Sequence, residues 1–245
     1  MSAPRTNPKT MTNDVAPPLK SEPKNLTQTA RDAIRRDILE CRLAPGDRLT
    51  VEDLRERLKI GATPLREALM GLTAEGLVLF EPNRGFRVAP VSRHDFDDAV
   101  ETYIEISLLA LKKAIRLGDD AWEGQIVGTF HRMTKLSKLR VDAQRPEMDD
   151  QWFVMHQLFH RSLISSCDSR WLTNFYDTIA DHTNRYLRLS VEYLSLPRDD
   201  ESEHEAIMDA VLKRDSRLAS TLLKQHLRLT HSKILQIEPS IFGNS

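Results

Sequence analysis

Residues 62–88 read ATPLREALMGLTAEGLVLFEPNRGFRV, and this stretch decides the fold. Leu65, Leu69 and Leu72 recur at helical spacing after Thr63-Pro64, a proline placement in the first turn that forfeits no hydrogen bond. Gly76 ends that helix. Leu77 to Phe80 and Phe86 to Val88 are apolar and partly β-branched, and Glu81-Pro82-Asn83-Arg84-Gly85 between them reads as the turn of a β-hairpin with a basic tip. Upstream, a helix over Thr27 to Arg42 aligns Ala30, Ile34, Ile38 and Cys41 on one face and leaves Arg31, Arg35 and Arg36 outside it. Ala44-Pro45-Gly46-Asp47 turns the chain. Thr50 then caps a short second helix, with Asp53 approximating a capping box and Val51, Leu54 and Leu58 facing inward. Helix, helix, helix and hairpin across 26–90 predict a winged helix-turn-helix.

Such a module inserts its third helix into the major groove of double-stranded DNA, N-terminal turn towards the base edges, while free N–H groups at helix starts hold phosphates. Arg66 is the first choice for a base or phosphate contact, the alternative being a surface pair with Glu67 or another local acid. Arg84 at the hairpin tip, with Arg87, would reach the minor groove or backbone beside it.

Outward from this domain the composition changes. Residues 1–25 hold five of the twelve prolines and almost no bulky apolar side chain, which predicts a disordered tail. Residues 91–237 contain three of the nine glycines and long stretches of helical period, with breaks at Gly118, Pro146, Ser169, Pro197 and Asp215. This half reads as an all-helical bundle with helices over 95–117, 120–143, 147–167, 170–195, 200–213 and 215–236, followed by a C-terminal tail at 238–245. Trp152, Phe153, Trp171 and Phe175 are assigned to its core. The fold class is therefore mainly α.

At 40% hydrophobic the chain can bury a core, and a net charge of -1 gives no global attraction to nucleic acid or anionic membrane. A slight basic excess sits at the N-terminal end. Two cysteines, Cys41 and Cys167, exclude a disulfide framework, and neither lies in a zinc-finger spacing. No apolar run approaches the roughly 20 residues of a membrane span, so the expected location is the cytoplasm.

Among eight histidines, His156 and His160 stand at i and i+4 and share one helix face, while His204 and His226 lie on two later helices. Four imidazoles converging in a bundle would suit a divalent transition metal. Individually, each is as well explained by a structural or surface role. His156-Gln157-Leu158-Phe159-His160 also has the two-histidine spacing of a zinc hydrolase, but Gln157 stands where the general-base glutamate must be and cannot take a proton from water. The reading is not an enzyme.

Four ordered blocks carry a family resemblance: LAPGDRL (43–49), TPLREAL (63–69), AEGLV (74–78) and PNRGFRV (82–88). Together they resemble the DNA-binding domain of GntR-type bacterial regulators. By that resemblance Arg66 matches the recognition-helix arginine and Gly85 the wing-tip glycine, and the expected DNA-contact set is Arg35, Thr63, Arg66, Asn83, Arg84 and Gly85. Gly61-Ala62 stands where relatives usually carry Ser-Arg. That removes a phosphate-binding hydroxyl and a base-reading guanidinium, so binding per half-site is expected to be weaker.

FHRSL (159–163), EHEAI (203–207) followed by Asp215, and KQHL (224–227) are similar to the FCD effector domain of the FadR branch. The resemblance implies a metal held by an aspartate and three histidines, with a small carboxylate effector completing its coordination. His160, His204 and His226 match the histidines, and His156 replaces the aspartate. An all-nitrogen set of His156, His160, His204 and His226 shifts preference from hard ions towards Zn or Ni. Relatives carry an Arg-x-x-x-Glu pair facing the cavity, aligned here with Ser107 and Leu111. The effector is thus expected to be less acidic than usual, or held by a different cation, with Ser107, Arg185 and Arg188 as its contacts.

These readings converge on a homodimeric, ligand-responsive repressor whose small-molecule effector changes how two winged helices fit an operator. The alternative is a DNA-binding protein whose helical half only dimerises; a metal hydrolase is a remote third.

Overall fold

The computed structural model describes residues 25–140, 147–190 and 199–236. The expected tails at 1–25 (apart from Asn25) and 238–245, and the breaks at Pro146 and Pro197, lie outside the described residues.

The N-terminal half is three helices and a three-stranded sheet: α1 (Leu26–Leu39), β1 (Arg48–Leu49), α2 (Val51–Leu58), α3 (Ala62–Ala74), β2 (Val78–Glu81) and β3 (Gly85–Val88). Asn25 starts α1 by accepting from the Gln28 N–H, and Ala30, Ile34 and Ile38 bury its inner stripe completely. Cys41 lies beyond the helix end at φ 56, where the chain leaves the helical conformation, so it does not continue that stripe. The Thr50 side chain caps α2 by accepting from the Asp53 N–H at 3.1 Å. α3 ends in a paired 6→1 and 5→2 closure, Leu77 N–H to Leu72 C=O and Gly76 N–H to Thr73 C=O, with Gly76 at φ +71. β2 and β3 pair antiparallel from Val78↔Val88 to Glu81↔Gly85. β1, too short to announce itself in the sequence, adds Arg48↔Arg87 and Leu49↔Phe86 to the other side of β3. Leu65, Leu69 and Leu72 join Ala30, Ile34 and Ile38 in one apolar core.

The rest is α4 (Arg93–Leu117), α5 (Asp120–Thr134), a two-stranded hairpin of β4 (Leu139–Arg140) and β5 (Glu147–Met148), α6 (Asp150–Ile164), α7 (Arg170–Leu189), α8 (Asp200–Leu212) and α9 (Ser216–Gln236). Capping side chains open most of them: Ser92, Asp119, Asp149, Ser169 and Asp199 each accept an N–H from the first turn. α5 stops at Thr134 rather than continuing to 143, because Leu139 and Arg140 are taken up in pairing with Met148 and Glu147. α4 runs through the middle of the bundle against α6, α7 and α9, and α5 packs on α6 and α8. At Gly118 the α4–α5 turn passes so close to Trp122 that a Cβ would lie 1.9 Å from the indole, and that indole donates to the Ser162 carbonyl at 2.8 Å. Trp152 and Phe153 are buried as expected. Trp171 and Phe175 are not: they stack on each other on the exposed face of α7, at 65% and 56% exposure.

Four residues, Ala89–Ser92, join the two halves. Ala89 and Val91 are buried, Arg185 donates to the Ala89 carbonyl at 2.8 Å, and the Tyr186 hydroxyl lies between Ser92 and Asp95.

Candidate nucleic-acid interface and metal centre

α3 begins at Gly61, which has no side chain to cap it. Thr63 and Arg66 are exposed on its first turns, and among the described residues Arg66 makes no ion pair. Its neighbour Glu67 instead accepts from the Thr27 hydroxyl at 2.8 Å. At the hairpin tip Asn83 and Gly85 both take the left-handed conformation, φ 64 and 87, which turns Arg84 outward into solvent. Arg87 donates to the Gly46 carbonyl at 2.6 Å and faces Glu81.

Arg35, expected at the DNA, is placed elsewhere. Its Nε donates to Glu75 at 2.9 Å and its Nη2 pairs with Asp181 of α7, at the junction between the halves. Arg31 donates twice to the other oxygen of Glu75, at 2.9 and 2.6 Å. Burial pushes the Glu75 carboxyl up, but the bonds from Arg35 and Arg31 outweigh it and leave it below its ordinary range. At Asp181 burial wins over Arg35, and the carboxyl is held above its ordinary range. Glu75 is the residue that terminates α3, and its carbonyl lies 2.9 Å from His182 Nε2. A Cβ on the adjacent Gly76 would stand 3.4 Å from the same imidazole.

The four histidines come together in the helical half. His156 and His160 project from one face of α6, His204 from the first turns of α8 and His226 from α9, and one ring nitrogen from each lies within 4.8 Å of all the others. His160, His204 and His226 are buried, while His156 is half-buried and stacks on Trp152. His160 Nε2 stands 3.1 Å from His156 Nε2 and 3.2 Å from His204 Nε2. A ring nitrogen carries one proton or one lone pair, so His160 cannot satisfy both contacts as hydrogen bonds. Zinc–nitrogen bonds of about 2.0–2.1 Å place two ligands of a tetrahedral ion about 3.3 Å apart, and the donor set therefore fits a divalent transition metal. Glu203, next to His204 in sequence, accepts from His226 Nδ1 at 2.9 Å and leaves Nε2 of that ring for the cluster. Sequence reasoning missed Glu203; its one local signal is a carboxylate beside a ligand.

A small cavity of about 50 Å³, partly open to solvent, adjoins the cluster. His156, His160 and His226 form one wall, and Phe96, Val100, Leu187, Leu227 and Ile234 supply most of the rest. Tyr103 also lines it; its hydroxyl pairs with that of Tyr176 at 3.0 Å, and burial pushes its phenol up to about 12, so it is neutral at any physiological pH. The expected effector contacts are not there. Ser107 bonds the Tyr103 carbonyl of its own helix. Arg185 points the other way, to Ala89 and the Cys41 side of the junction, and Arg188 lies over Phe153 and pairs with Asp150. The structure instead lines the cavity with Gln157, Thr183 and Asn184. Gln157, tied to Asn184, offers no base for hydrolysis.

Comparison with known proteins agrees with both halves. Residues 26–88 match the model of bacterial regulatory proteins of the gntR family, and residues 98–229 that of the FCD domain. An uncharacterized HTH-type transcriptional regulator, BphR of Paraburkholderia xenovorans LB400, is 33% identical over 91% of this chain and 91% of its own. The HTH-type transcriptional repressor GlaR of Escherichia coli K12 is 33% identical over 86% of this chain and 97% of its own. Among solved structures, E. coli McbR/YncC superposes with a TM-score of 0.70 at 17% identity, covering 86% of this chain and 97% of that one. A putative GntR regulator from Rhodococcus sp. RHA1 gives 0.70 at 19%, covering 86% and 98%. At those identities the superpositions speak for the fold alone. Among the described residues, no helix is long and apolar enough to cross a membrane.

Proposed function

The chain belongs to the GntR family of DNA-binding transcriptional regulators, with an FCD effector domain, and from that premise we propose a homodimeric, cytoplasmic repressor that a small metal-bound effector releases from its operator. Each protomer reads one half-site. Thr63 and Arg66 on α3 meet the major groove, with the uncapped N–H groups of the first turn facing phosphate, while Asn83, Arg84 and Gly85 form the wing that follows the backbone. Arg35 takes no part in reading and holds the reader to the sensor.

In the sensor, His156, His160, His204 and His226 would hold the ion, with zinc or nickel suited to the nitrogen donors. When bound, such an ion supplies a Lewis-acid position towards the cavity for a carboxylate or similar head group. The chain's own contribution is to orient the donors, through Glu203 on His226, and to exclude water with an apolar wall. One observation carries the regulatory reading: α7 faces both sites. Thr183, Asn184 and Leu187 line the cavity, whereas Asp181, His182 and Arg185 of the same helix touch Arg35, the end of α3 and the joining segment. A ligand that favours one position of α7 thereby favours one placement of the recognition helix.

The test uses DNA selected from a random pool by the purified full-length protein, with metal content read by elemental mass spectrometry. About one zinc or nickel per chain is expected in the wild type and none in His160→Ala, with basal DNA binding kept. A wild type without metal, or a metal-free variant that responds to ligand like the wild type, overturns the proposal.

A further inference from the structure

The cavity wall between α6 and α7 holds a polar pair whose use is not yet assigned. Gln157 donates its Nε2–H to Asn184 Oδ1 at 2.7 Å, and Asn184 donates its Nδ2–H back to Gln157 Oε1 at 2.5 Å. Gln157 directly follows His156 and precedes His160 by three residues, so the pair lies beside the four-histidine cluster on the same cavity. Each amide has two N–H groups and two carbonyl lone pairs. Reciprocal pairing spends one of each and leaves both residues able to donate once and accept once more.

The neighbouring polar side chains of the wall each have a partner elsewhere in the protein. The Thr183 hydroxyl bonds the carbonyls of Ile179 and Ala180, the Tyr103 hydroxyl bonds Tyr176, and His231 faces Asp97 at 2.6 Å. A ligand whose head group reaches the histidine cluster therefore meets neutral donors and acceptors at the amide pair and hydrocarbon around them. A hydroxyl or carboxamide satisfies both kinds of partner. A second carboxylate accepts from the N–H groups but sets its lone pairs against the amide oxygens and carries a charge into an apolar wall. A methyl group strands the amide N–H and C=O without partners, the situation in which polar sites discriminate most sharply.

We propose that Gln157 and Asn184 determine effector specificity, and that the effector is a monocarboxylate bearing an uncharged group, hydroxyl or carboxamide, at its other end. This rests on the reading of the histidine cluster as a metal site. Asn184 also stands between His182 and Arg185 on α7, so the group that reads the ligand belongs to the helix that holds the recognition helix.

The experiment is isothermal titration of the zinc-loaded full-length protein with straight-chain acids, three to six carbons long, each ending in methyl, hydroxyl, carboxamide or carboxylate. At the chain length that fits, the hydroxyl- or carboxamide-ended acid is expected to bind about tenfold tighter or more than both the methyl- and carboxylate-ended acids. Gln157→Leu and Asn184→Leu should retain zinc and lose most of that preference; Gln157→Ser and Asn184→Ser remove the same amides with less bulk where the leucine variants do not fold. A diacid that binds as tightly, a preference preserved in the variants, or binding by none of the series overturns the inference. A wild type that retains no zinc, measured before any acid is added, overturns the metal reading instead.

Discussion

Replacing Glu75 with glutamine tests the joint between reader and sensor at nearly constant volume. The carboxylate receives three N–H bonds, two from Arg31 on one oxygen and one from Arg35 on the other. In the variant one of those arginines faces an NH₂ group and the charge is gone. Hydrogen bonds to a charged group contribute about 1.5–3 kcal/mol when buried, and with the side chains 21%, 34% and 39% exposed a discounted loss of about 1–2 kcal/mol is expected. For a chain of this size that lowers Tm by roughly 2–8 °C. The pH dependence carries the sign. A carboxyl held below its ordinary 4.5 stabilises the fold fully above that value and loses the contribution as pH falls through the lower folded value. Calorimetry of the full-length proteins should therefore show a Tm gap at pH 7 that closes on acidification below the ordinary 4.5. Equal Tm values at pH 7, or a gap unchanged in acid, would refute the assignment of Glu75 as a stabilising ionic joint.

Three further outcomes follow from the geometry. Arg66→Ala should weaken binding to the selected DNA by about 1–3 kcal/mol with far-UV circular dichroism unchanged; unaltered affinity removes it from the interface. Glu203→Ala frees the His226 ring from its orienting partner and should reduce metal affinity about 10–100-fold in a chelator competition, short of the complete loss expected for a ligand. Gly118→Ala forces the α4–α5 turn off the Trp122 indole and should cost about 1–3 kcal/mol in denaturant unfolding, with a neutral result sinking the close-approach argument.

The elements that were legible in the sequence are those decided locally. Thr50 capping α2, the leucine stripe of α3 and the glycine that ends it need only near neighbours, and His156 and His160 share a face because four residues separate them. Their meeting with His204 and His226 was suggested by family motifs, not by period. What the sequence could not reveal depends on partners far along the chain. Arg35 looks like a free surface cation until Asp181, in the other half, is brought against it. Arg185 and Arg188 each directly follow a cavity-lining residue, Asn184 and Leu187, yet a helix turns 100° per residue and carries them to other faces. β1 is two residues long and exists because β3 offers it an edge. Trp171 and Phe175 resemble core residues by type, but their positions on α7 fall on its outer face.

The segment Ala89–Ser92 has a bearing on how such a regulator diversifies. Four residues, two of them buried and the ends tied by Arg185 and Tyr186, leave almost no slack between the reading head and its carrier. One extra base pair between half-sites turns the second site by about 34–36° and moves it about 3.4 Å along the duplex, more than so short a tether absorbs. Operators for this protein should thus tolerate base changes within half-sites far better than insertions between them. New target spacings would have to arise from a re-angled subunit contact. Lengthening the tether would instead yield a protein that binds DNA promiscuously in spacing and no longer hears its sensor.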